Sequence, residues 1–200
     1  MSRTPSSRTA TIAKIAVIPV ALIASGLVVS QASYSAYSAS TSNPTSNWSS
    51  GTVQLSDDDS NAALFSASNL KPGATGTKCI VVTSSGSLAS TVKLYAASVA
   101  TTKALASSIT LNVTQGSGGS FGSCTGFTPA ATNPSVFSGT LESFGTTATS
   151  FATGLGSWAP TGTATESRTY QVSYTLAANA PDSTQGGTAS VALTWEAQNS

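Results

Sequence analysis

Two stretches near the C-terminal end constrain the fold most: "TYQVSYTL" (169–176) and "TASVALTWEA" (188–197). The first places Tyr170, Val172, Tyr174 and Leu176 on one face, and the second does the same with Ala189, Val191, Leu193 and Trp195. A period of two over eight or more residues is the pattern of a β-strand with one dry and one wet face. The connection between them, "AANAPDSTQGG", is rich in turn formers.

The same grammar recurs upstream. "SSITLNVTQ" (107–115) turns Ile109, Leu111 and Val113 one way and Thr110, Asn112 and Thr114 the other. "TVKLYAA" (91–97) sets Val92 and Leu94 against Lys93. "TKCIVVT" (77–83) is apolar on both faces. Ahead of it, Pro72 and Gly73 fit the two central positions of a type II turn, where proline presets φ and glycine accepts a positive one. "GTVQL" (51–55), "AALFSASNL" (62–70) and "PSVFSGTL" (134–141) read as further strands. One helix is expected within 141–158, where Leu141, Phe144, Ala148, Phe151 and Leu155 make an apolar stripe weakened by Gly145 and the threonines. The expectation is an all-β, antiparallel sandwich or jelly roll of about eight or nine strands with one short helix.

The N-terminus speaks to compartment. Arg3, Arg8 and Lys14 precede the uncharged run "IAVIPVALIASGLVV" (15–29), and small residues follow. This is the layout of a secretory signal peptide, here a signal helix over residues 1–36 with cleavage after Ala32, Ser35 or Ala36. The alternative is a retained anchor, but the run is short against the roughly 20 residues of a bilayer span and contains Pro19 and Gly26. Residues 37–50 read as a flexible polar lead-in, and residues 51–200 as the folded domain.

Beyond the leader the chain keeps Lys71, Lys78, Lys93, Lys103 and Arg168 against Asp57, Asp58, Asp59, Glu142, Glu166, Asp182 and Glu196; five against seven leaves −2. No clustered basic face invites nucleic acid. Cys79 and Cys124 both lie in the exported part, and an even count outside the cell points to a disulfide rather than two buried thiols. Such a bridge would pin the turn-and-strand segment 68–82 to the glycine-rich loop around Cys124.

These segments together resemble the TasA/camelysin family of secreted bacterial proteins. The resemblance rests on "ASYSAYSAS" after the leader and W-S-x-G-T-V-x-L from Trp48 to Leu55. It continues in SNLKPG…KCIVV…SGSL…VKLY over 68–95 and Y-x-V-x-Y-T-L…P-D-x-x-Q-G…A-L-T-W-E-A over Tyr170–Ala197. It leaves out about 100–160. It implies export through a dedicated SipW-type signal peptidase, a jelly-roll sandwich, and a fibre or biofilm-matrix subunit at the cell surface. Camelysin itself is described as a surface metallopeptidase. This chain departs from the best-known matrix member in being shorter, less charged and equipped with a cysteine pair.

The residues bear on the peptidase alternative directly. The chain has no histidine. That removes H-E-x-x-H zinc ligation and every Ser/His/Asp or Cys/His device. Glu142, Glu166 and Glu196 are scattered, and "QGSGGSFGS" lacks the GK[ST] of a phosphate loop. Asp57–Asp59 could offer oxygen ligands to calcium but lack the glycine-centred loop and distal glutamate, so a solvated acidic loop is the simpler reading. Trp48, Trp158 and Trp195 could line a sugar site, although Trp195 sits in an alternating strand and reads as core. "NVT" at Asn112 matches a glycosylation acceptor only by coincidence in mid-strand.

The expected role is therefore that of a non-catalytic structural protein, secreted to the cell surface or matrix, without cofactor or metal. Its expected partners are further copies or other surface proteins, with signal peptidase during export and membrane contact only through an uncleaved leader. The lead-in, with Tyr37, Trp48, Val53 and Leu55 as anchors, is expected to close its own sheet or to complement a neighbour's. A camelysin-like peptidase and a monomeric surface-binding module are the alternatives.

Overall fold

The computed structural model describes residues 49–199. The signal segment, the cleavage positions Ala32, Ser35 and Ala36, and the anchors Tyr37 and Trp48 lie outside the described residues. What is described is all-β as expected. Nine strands form two antiparallel sheets, with one α-helix.

The strands are β1 (Leu55–Asp57), β2 (Thr75–Ser84), β3 (Ser90–Thr101), β4 (Ile109–Ser117), β5 (Thr128–Pro129), β6 (Ser135–Thr140), β7 (Leu155–Trp158), β8 (Glu166–Leu176) and β9 (Ala189–Asn199). The helix α1 spans Leu141–Thr147. The larger sheet runs β1-β2-β8-β4-β5, with β6 also on β4; the smaller runs β7-β3-β9. Ile80 sits opposite Tyr170 in the first sheet, and Leu94 opposite Trp195 in the second. One core joins the dry faces of both: Ile80, Val82, Val113, Tyr170 and Val172 from the larger sheet, Val92, Leu94 and Trp158 from the smaller. The Tyr170 and Trp195 rings, one from each sheet, lie 5.2 Å apart. Full burial of one such aliphatic side chain stabilises by about 1.5–3 kcal/mol, so the alternation read in the sequence is what fixes the registers.

The turn ahead of β2 forms as expected: the Ala74 N–H donates to the Lys71 carbonyl at 2.9 Å, and Gly73 has φ 83°. β2 is buried on both faces, with Ile80 and Val82 toward the core and Cys79 completely buried on the other side.

Three expected elements differ. The first strand begins at Leu55, not Gly51. Residues 52–54 face the turn 85–88, which offers isolated donors instead of a strand: Ser87 and Leu88 donate to the Thr52 carbonyl and Ser85 to that of Gln54. The expected strand 62–70 is absent. In the β1–β2 register Leu55 opposes Ser84 and Asp57 opposes Val82, so a longer β1 would send Asp59 and Asn61 toward the core side. Those groups resist burial, and Ser60 and Asn61 instead turn into the left-handed region (φ 52° and 63°), ending the strand.

The helix expected within 141–158 stops at Thr147. Thr140 caps it by accepting the Ser143 N–H at 3.0 Å, and Phe144 and Ala148 are fully buried as the stripe requires. The hydroxyls of Thr146 and Thr147 then bond back to the carbonyls of Glu142 and Ser143, a habit that weakens helices. Beyond a 3-10 turn at Phe151–Thr153, Leu155–Trp158 becomes β7, with Trp158 opposite Val92.

Candidate functional site

The stretch between β1 and β2, residues 58–74, does two jobs. Its first residues clamp an edge of the larger sheet. Asp58 accepts the Val81 N–H with one carboxylate oxygen (2.8 Å) and the Phe121 N–H with the other (2.7 Å). Next to it the Gly122 N–H donates to the Cys79 carbonyl at 2.9 Å, and Cys79 and Phe121 form an isolated parallel bridge. The disulfide Cys79–Cys124, with Cα atoms 5.1 Å apart, fixes the loop in that position. Gly118 and Gly119, both at φ 79°, let the loop reverse; a Cβ on Gly118 would strike the Gly126 carbonyl oxygen. The cysteine pair is thus bonded, as the even count suggested, and β2's outer edge is covered at Cys79 and Val81.

The rest of the stretch is a strap. Residues 63–70 make no backbone hydrogen bond among the described residues. Side chains hold it: Leu64, Phe65 and Leu70 pack against the core, Phe65 meets Tyr174 edge-on at 5.1 Å, and Lys78 Nζ lies 5.8 Å from the Phe65 ring centre. Beneath the strap is a cavity of about 610 Å³ between the two sheets. Ile109, Leu111 and Val172 line it from the larger sheet, Val191 and Leu193 from β9, and Phe65 from the strap. β9, eleven residues long, pairs among the described residues with β3 on one side only. An apolar cavity beside a long strand edge presents backbone donors and acceptors together with a place for side chains. Physically, that suits an extended segment.

The other singled-out residues are dispersed. Leu55 sits in β1 and packs on the chain's own core, whereas Val53 is 36% exposed. Trp158 is buried core beside the Arg168 guanidinium, and Trp195 lines the cavity. Asp57 and Asp59 accept local N–H groups from Asp59 and Asn61. Burial, with Asp59 alongside, pushes the Asp57 carboxyl above its ordinary value. Glu166 accepts from the Thr161 hydroxyl (2.7 Å) and N–H (2.6 Å), which hold its carboxyl below the usual range. Glu196 is likewise lowered, by Gln198 and Tyr95. Glu142 stands apart on α1. Among the described residues no three acidic or cysteine side chains converge as a metal set. Burial pushes the Tyr170 hydroxyl up, as befits a core residue.

Asp58 is the clamp residue that the sequence conceals. Nothing in "DDD" separates it from its neighbours, and its partner Phe121 lies 63 positions away. No family model matches the chain, and no curated protein matches it.

Proposed function

We propose that this chain is a secreted, non-catalytic structural subunit of the cell surface or extracellular matrix, a jelly-roll-like β-sandwich that associates by strand complementation. The observation that carries the reading is the apolar cavity of about 610 Å³ lying beside β9, which among the described residues pairs on one side alone. A strand laid there would add main-chain hydrogen bonds to the edge and bury alternate side chains in the groove. The donor is the lead-in of a neighbouring copy, residues 37–50, which carries Tyr37 and Trp48 and no charge. Leu55 closes the chain's own sheet and Thr52 and Gln54 bond the turn 85–88, which leaves the lead-in ahead of them for a neighbour. The resemblance to TasA and camelysin supports the same role, and the absence of histidine opposes the peptidase alternative.

Protein beginning at Tyr37 should form filaments visible by negative-stain electron microscopy, and protein beginning at Gly51 should not. Monomers from both in light scattering would defeat the proposal. A cavity of this volume also lies in the range of small-ligand pockets, which keeps the monomeric binding module as the second reading. That reading expects a saturable apolar ligand and no assembly.

A further inference from the structure

The strap roofs a cavity of about 610 Å³ whose walls are aliphatic at Ile109, Leu111, Val172, Val191 and Leu193. Asp59 is the one charged residue among the described residues that line it, and its carboxylate already accepts the Asn61 N–H at 2.6 Å. A space in the ordinary size range of ligand pockets, with walls of this kind, suits a hydrocarbon chain.

At the strap the surroundings change. Lys78 stands opposite Val172 in the β2–β8 register, and cross-strand partners share a face, so the lysine stem rises on the cavity side of the larger sheet. Gly76, the next position of β2 on that face, leaves room for the Tyr174 ring; a Cβ there would strike it. Phe65 rests edge-on against Tyr174, lines the cavity, and has its ring centre 5.8 Å from the Lys78 ammonium. Lys93 and Lys103 each donate to a backbone carbonyl, that of Gly156 and that of Gln185. Lys78 is half-buried and, among the described residues, faces the Phe65 ring without a carboxylate or carbonyl acceptor. A lysine stem laid along apolar surface with its charge held at the rim is placed to receive an anion.

We propose that the cavity binds a free single-chain carboxylic acid, its hydrocarbon chain between the sheets and its carboxylate on Lys78 Nζ at the strap. This rests on the reading of the cavity as a ligand pocket and names the class of ligand. Entry is past the strap, whose residues 63–70 give way without breaking a backbone hydrogen bond among the described residues. The ammonium then donates a charge-assisted hydrogen bond to the carboxylate. The chain supplies most of the affinity: each further methylene buried should tighten binding about four-fold, equivalent to ~0.8 kcal/mol.

The test is calorimetric titration of protein beginning at Tyr37 with octanoate, decanoate and dodecanoate, and with dodecyltrimethylammonium as the same chain under the opposite head. One dodecanoate should bind per chain, with the affinity rising about four-fold per methylene through the series. The cationic amphiphile should bind at least about ten-fold more weakly. Lys78→Met, which keeps an apolar stem, should erase the preference for the carboxylate while the gain per methylene persists. Dodecanoate carrying a terminal bromine should quench tryptophan fluorescence, and Trp195→Phe should remove that quenching, because Trp195 lines the cavity. No saturable binding of any chain overturns the ligand-pocket reading and this inference together. Binding without preference between the heads, or a preference that survives Lys78→Met, leaves the pocket reading standing and overturns the carboxylate site. Quenching that survives Trp195→Phe puts the chain outside the cavity and overturns it too. Capture by phosphatidylglycerol vesicles without binding of dodecanoate overturns the free acid in favour of a membrane.

Discussion

The two long sides of the described domain are closed by different means. On one, the chain passes from β6 to β7 through α1 and its C-cap Ala148, which insert Phe144 and Ala148 into the core and tie back to β3 where the Ala96 N–H donates to the Ala148 carbonyl at 2.7 Å. Phe137 meets Phe144 at 5.0 Å, so the interior there is filled. On the other, the strap 63–70 lies over the sheets without a backbone tie among the described residues, and a cavity remains behind it. Phe144 is completely buried, whereas Phe65 is only partly so. The contrast teaches that a closed side is specified by volume and hydrogen bonds together. Where a chain supplies only a few apolar anchors, it leaves a surface for something else to finish.

The largest effect expected follows from that contrast. Phe144→Ala should cost about 3–5 kcal/mol, because a filled site collapses poorly around the void. Urea denaturation reads it, and a loss below about 1 kcal/mol would erase the distinction between the sides. The disulfide comes next. Its cysteines are 45 positions apart, and the chain-entropy argument puts removal in Cys79→Ser/Cys124→Ser at about 4 kcal/mol, partly offset if the clamp holds some order in the unfolded chain. Phe65→Ala should cost only about 1–2 kcal/mol, since the side chain is only partly buried and already borders empty space. A cost equal to that of Phe144→Ala would mean that the strap is core and not cover.

The smallest effects are in pH. Burial raises the Asp57 carboxyl, so its favourable contribution is present in acid and is lost as pH climbs through the folded value. Glu166 is lowered by Thr161, so its contribution is present above the unfolded value and is lost as acid protonates it. Asp57→Asn should therefore help most near neutrality, and Glu166→Gln should flatten the loss in acid. Thermal melts from pH 3 to 7 separate the two, and parallel curves for both variants would contradict the assignment.

Much of this was legible in the residues. Strict alternation gave β3, β4, β8 and β9, and the Pro72–Gly73 turn was readable because its backbone demands are local. The strap was not. "AALFSASNL" has strand composition, yet the preceding Asp57–Asn61 stretch decides its fate through a register that only the folded β2 defines. The end of α1 was hidden in the same way: the apolar stripe runs on to Leu155, but threonine back-bonding and pairing of β7 with β3 override it. The clamp at Asp58 depends on two segments far apart in sequence, and the cavity depends on what the strap fails to fill.

The most direct test of the central claim is amide hydrogen exchange on oxidised protein beginning at Tyr37, compared before and after assembly. The account predicts that protection rises along β9, from Ala189 to Trp195, and changes little in β6 and β7. Protection gained at β6 and β7 with β9 unchanged would place association on the filled side and contradict it.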